Sequence, residues 1–127
     1  MGYDVHITRK TEWSDENGPH ITEDEWRIYV ESDPELMITG SAECKAPSGE
    51  VIKITHPLLT EWRQHSGRAP VWLSYFEGNV SIKNPDEECL AKMRKIALKL
   101  KARVQGDEGE HYDAAPEKPS FFKRLFR

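Results

Sequence analysis

The stretch VWLSYFEGNVSIK, residues 71–83, restricts the fold more than any other part of the chain. Its side chains alternate, placing Val71, Leu73 and Tyr75 on one face and Trp72, Ser74 and Phe76 on the other, as an extended strand requires. Residues 71–76 and 79–83 flank Glu77-Gly78-Asn79, where Gly78 supplies the positive φ of a tight hairpin. A second hairpin is expected from residues 37–45 and 50–55 around Ala46-Pro47-Ser48-Gly49, whose Pro at the second position and Gly at the fourth suit a type I turn. Tyr3, Val5 and Ile7 alternate in the same way, which sends His6 off the apolar face of a further strand. Hairpins of this kind build an antiparallel sheet.

Two amphipathic helices are predicted to cover it. Thr22 and Glu25 form a capping box, Ile21 can pack on Trp26 across it, and Asp33-Pro34 stops the helix. Its inward stripe is Trp26, Tyr29 and Val30. Further on, Asn84 is expected to cap a long helix with Pro85 at its first position and Asp86, Glu87 and Glu88 in its first turn. Cys89, Leu90, Met93, Ile96, Ala97 and Leu100 recur at helical spacing. Residues 102–105 read as a short last strand, and 56–70 as irregular with one helical turn at Thr60–His65. The fold class that follows is α+β, an antiparallel sheet of about five strands packed by two main helices. Residues 1–113 form the domain, and residues 114–127 form a linker and a basic, aromatic tail.

Charge separates these two parts. The chain's formal charge is −4, but the tail holds Lys118, Lys123, Arg124 and Arg127 against Glu117, a net +3 that leaves −7 on residues 1–113. An acidic body repels nucleic-acid phosphate and favours a basic protein partner. In the tail, Ser120 can cap a short helix with Phe121, Phe122, Leu125 and Phe126 on one side. Lys123, Arg124 and Arg127 take the other, a pattern suited to an apolar groove or, weakly, to an anionic membrane surface.

Catalytic and metal motifs are harder to find. Cys44 and Cys89 form no CxxC pair and read as two reduced, buried thiols. His6, His20, His56, His65 and His111 show no HxxxH or HExxH spacing. Glu61 and His65 would share a helical face, which makes His56, Glu61 and His65 the candidates for a small hydrolase or nuclease. The acidic run from Asp107 to Asp113 lacks the ligand alternation of a calcium loop. No catalytic residue, metal ligand or cofactor is therefore expected. The chain has no signal-peptide-like or membrane-spanning apolar run, so a cytoplasmic location is expected.

Four stretches, GYDVHITR, EDEWRIYVESDPEL, GNVSIKNPD and RVQGDEGEHYD, together resemble a family of small uncharacterised bacterial proteins. Proteins of this size and style are similar to immunity proteins encoded beside secreted toxins. The −7 body, the surplus of Trp and the lack of catalytic spacing point to a non-enzymatic protein-binding module, and the resemblance implies as its concrete form an immunity-type inhibitor that occludes a basic toxin. From the residues themselves, the contact surface expected is Trp72 and Phe76 with Asp107, Glu108 and Glu110, an aromatic pair inside an acidic surround. The alternative is a membrane-peripheral or scaffold protein acting through Phe121, Phe122, Lys123, Arg124, Leu125 and Phe126.

Overall fold

The computed structural model describes residues 3–67 and 70–112. The elements run β1 (Asp4–Thr8), α1 (Glu23–Ser32), β2 (Leu36–Ile38), β3 (Ser41–Lys45), β4 (Val51–Thr55), β5 (Thr60–Trp62), β6 (Val71–Phe76), β7 (Asn79–Lys83), α2 (Glu87–Leu100) and β8 (Arg103–Gly106). Six strands form one sheet in the order β2-β5-β6-β7-β1-β8, every pair antiparallel, and β3-β4 form a separate two-stranded sheet. The class is α+β, as the alternation and the two amphipathic helices require. The expected basic, aromatic tail lies outside the described residues.

Register brings the buried apolar side chains of the central strands onto one face and leaves Trp72 and Phe76 of β6 on the other. Val5 lies opposite Ile82, Ile7 lies between Val80 and Val104, and Tyr75 lies opposite Val80. These residues are buried in one core with Trp26 and Val30 of α1 and with Leu90, Met93, Ile96 and Ala97 of α2. Trp26 is fully enclosed and its indole N–H donates to Thr60 Oγ1 at 3.1 Å, so its one polar atom is satisfied. The capping box forms as predicted, with Glu25 N–H on Thr22 Oγ1 and Thr22 N–H on Glu25 Oε1.

Four local expectations are corrected. The strand expected over 37–45 breaks at Gly40, whose φ of 76° turns the chain out of the main sheet. Leu36–Ile38 stays on β5, and Ser41–Lys45 leaves to pair with β4. Residues 60–62 are extended rather than helical, because Thr60 and Trp62 are buried on one side while the backbone fills the place between β2 and β6. Glu61 and His65 therefore share no helical face. Asn84 is not the cap of α2. It sits at φ 49° and exchanges hydrogen bonds with the Tyr3 backbone, while Asp86 caps the helix through Cys89 N–H at 2.8 Å. Pro85 accordingly precedes the cap.

Both helix starts lean on carboxylates. The side-chain bonds from Arg9, then the Thr22 N–H, hold the Glu25 carboxyl down at about 2. The Cys89 N–H, followed by His65, holds Asp86 at about 2. In the unfolded chain both groups titrate near pH 4. The folded state thus binds fewer protons than the unfolded chain in acid, and stability is lost as pH falls from about 4 towards 2. Urea midpoints should be level between pH 7 and 5 and clearly lower at pH 3. A midpoint that holds at pH 3 would contradict this.

Candidate ligand-binding cleft

The sheet's second face is polar and uncovered by helices. His6 pairs with Ser81 on one side and Gln105 on the other, and Ser81 pairs in turn with Ser74. A polar row therefore crosses four strands. Over it stand the loop after β1, through Trp13, Ser14 and Glu16, and the β3-β4 hairpin, through Ala42 and Ile54. Together they enclose a cleft of about 640 Å³ with Trp72 and Phe76 in its wall. Of residues 56–67, only Leu59 lines it, and most of the cover comes from the loop and the hairpin.

Trp13 organises this cleft. Its ring stacks on His6 with centroids 3.9 Å apart and planes within 10°. Its backbone N–H donates to Gln105 Oε1 at 2.6 Å, its carbonyl accepts from Asn79 Nδ2 at 2.8 Å, and its indole N–H donates to the Asp107 carbonyl at 3.1 Å. Gln105 is fully buried and spends its amide group on the Thr11 and Gly109 carbonyls, tying the loop after β1 to the turn after β8. Lys10 adds a second anchor. It is 2% exposed, and its ammonium reaches the Glu77 carbonyl at 3.0 Å.

His6 and Asp107 form a hydrogen-bonded pair, Nε2 to Oδ1 at 2.8 Å, and Asp107 Oδ2 accepts from Asp4 N–H at 2.8 Å. Burial alone would raise the Asp107 carboxyl, but the Asp4 N–H and the His6 ring outweigh it and hold the group below the ordinary range. An ionised carboxylate only accepts, so neutral His6 carries its proton on Nε2 and keeps Nδ1 as an acceptor. Asn79 is 7% exposed and lines the same cleft, and its Oδ1 has no partner. A buried amide oxygen without a donor costs about 1–3 kcal/mol. A donor that reached this oxygen from the cleft would recover that energy.

The carboxylates of Asp4, Glu16, Glu77 and Asp107 stand with Lys83, the one Lys or Arg among the described residues of the lining. Acceptors thus outnumber donors. Comparison with protein-family models, with curated proteins and with solved structures finds no match. The cleft's chemistry has to be read from its own residues.

Of the side chains expected to make contact, Trp72, Phe76 and Asp107 meet in this cleft, and Phe76 remains 66% exposed at its edge. Glu108 and Glu110 lie outside the lining. The Glu108 N–H is taken by Glu110 Oε1 at 3.1 Å, and Glu110 Oε2 accepts from Tyr112. The tail residues Phe121, Phe122, Lys123, Arg124, Leu125 and Phe126 lie outside the described residues. The hydrolase candidates His56, Glu61 and His65 do not converge. His56 lines a small cavity with Pro57 and Tyr75, His65 lines another beside Asp86, and Glu61 is engaged by Arg63 at 3.2 Å.

Sequence reasoning missed His6, Trp13, Asn79 and Gln105. For His6 a signal exists, since strand alternation alone sends it off the apolar face. A larger depression of about 790 Å³ lies on the helix side. Two of its polar pairs are already made, Arg9 with Glu25 at 2.7 Å and Tyr29 with Asp33 at 2.7 Å. Neither unpartnered buried polar atom among the described residues lines it. For that reason the sheet face is the better candidate.

Proposed function

We propose that the protein is a non-enzymatic binding module whose working surface is the sheet-face cleft, and that it takes a basic, partly apolar segment of a protein partner. The unpartnered Asn79 Oδ1 carries this reading, because it places a buried acceptor in a cleft rich in acceptors and walled by aromatics. Lys and Arg side chains bring donors and no acceptors, and their stems pack on rings such as Trp72 and Phe76. The −7 carried by residues 1–113 would speed capture of a basic partner more than it deepens affinity. An immunity-type inhibitor of a basic toxin, acting in the cytoplasm, is the most concrete form of this reading. Among the described residues no helix is long and apolar enough to cross a membrane.

The test is selection of random displayed peptides on the full chain. Enriched peptides should pair Lys or Arg with an aromatic or aliphatic residue, and Phe76→Ser and Asp107→Asn should each weaken them about 10-fold or more. Acidic or neutral winners, or binding unchanged in both variants, would refute the assignment.

One observation favours a hydrolytic alternative. Asp107 orients His6, and Ser81 sits directly across from His6, where facing Cβ atoms lie about 4.5–5.5 Å apart. Covalent labelling of Ser81 by a fluorophosphonate, abolished by His6→Ala, would decide for it over binding alone.

A further inference from the structure

A second cluster lies where the segment after β5 meets the start of α2. His65 Nε2 is 2.7 Å from Asp86 Oδ2 and 3.6 Å from Glu88 Oε1. One ligand atom each from His65, Asp86 and Cys89 lies within 4.8 Å of the others, and Cys89 is buried. These three side chains also line one cavity of about 380 Å³, together with Pro70 and Lys83. The imidazole is set edge-on to Trp62, with centroids 5.5 Å apart. Ser66 holds the segment down through two bonds to Glu88, at 3.0 and 2.6 Å.

An ordinary capped helix start needs only Asp86. Here an imidazole from 21 residues upstream and a buried thiol join the cap at ligand-to-ligand distance. Nitrogen, sulfur and one or two carboxylate oxygens form a borderline-soft set that suits zinc-like ions rather than calcium or magnesium. Bonds of about 2.0–2.3 Å hold tetrahedral ligand atoms under about 4 Å apart, so small side-chain rotations close the site. We propose that His65, Asp86 and Cys89, with Glu88 as fourth ligand, bind a divalent transition ion of the zinc class.

Binding releases one proton, from the Cys89 thiol, whose sulfur then donates to the metal. His65 binds through Nε2 and moves its remaining proton to Nδ1, so the 2.8 Å bond that Nδ1 now accepts from Gly67 N–H opens. Glu88 turns from Ser66 to the ion. The positive end of the α2 dipole opposes a cation, and the thiolate with Asp86, Glu87 and Glu88 offsets it.

The experiment is titration of chelator-treated full-length protein with Co²⁺, followed by absorbance and then by Zn²⁺ displacement. The expected result is one ion per chain, a thiolate-to-cobalt charge-transfer band, and loss of that band in Cys89→Ser but not in Cys44→Ser. His65→Ala should weaken Co²⁺ binding at least 10-fold with an unchanged circular dichroism spectrum, which keeps the test valid if Cys89→Ser fails to fold. Absence of the band, its loss in Cys44→Ser instead, or unchanged affinity in His65→Ala would each overturn the site.

Discussion

Lys92→Ala is expected to cost about 3 kcal/mol, because it removes the one cation between two carboxylates, of which Asp33 is nearly buried. Lys92 projects from α2 and meets Asp33 Oδ2 and Glu35 Oε1, each at 2.9 Å, so one cation joins the second helix to the turn between α1 and β2. Its side chain is 8% exposed and that of Asp33 10%, whereas Glu35 is 42% exposed. Screening weakens the Glu35 leg, and most of the loss comes from Asp33. Asp33 Oδ2 is bound twice, since the Tyr29 hydroxyl also donates to it at 2.7 Å, and Oδ1 accepts from Glu35 N–H at 3.0 Å. Burial works against Lys92, yet its two carboxylate partners hold its pKa above the ordinary lysine value. Equilibrium urea unfolding of the variant measures the effect. A loss below about 1 kcal/mol would mean that the triad is no more than a surface ion pair.

Gln105→Leu should have a comparable effect by a different route. Leucine fills a similar volume but leaves Trp13 N–H and the Thr11 and Gly109 carbonyls without their partner. Each orphaned group costs about 1–3 kcal/mol unless water reaches it, so a loss of about 3 kcal/mol is expected. The damage should be local as well as global. With one of its two backbone anchors gone, Trp13 should lift from His6, and amide exchange across residues 11–18 should rise before that of β1 and β7. Unchanged protection in this loop would show that Lys10 and Asn79 suffice to hold it.

Both sites of large effect were hard to see in the sequence, for a physical reason. Alternation and helical spacing report which side chains share a face, and they correctly set Val5 and Ile7 apart from His6, and Leu73 and Tyr75 apart from Trp72 and Phe76. They say nothing of which polar residue will be buried by a partner distant in the chain. Gln105 and Lys92 look like ordinary solvent-facing positions, and the sequence separation of 94 from Thr11 to Gln105 is bridged only by the fold. Asp107 stood out inside an acidic run, but what distinguishes it from Glu108 is the Asp4 N–H and His6 ring across the sheet. The break at Gly40 and the extended β5 were equally hidden, because tertiary pairing rather than local preference decides them.

The claim that the sheet face is the working surface is tested most directly by nuclear magnetic resonance. The isotope-labelled full chain would be titrated with a basic, aromatic peptide taken from the selection. The account predicts shifts concentrated in residues 4–8, 13–18 and 72–83, including the side-chain amide of Asn79. Shifts confined to the outer faces of α1 and α2, with Asn79 and His6 unmoved, would contradict it.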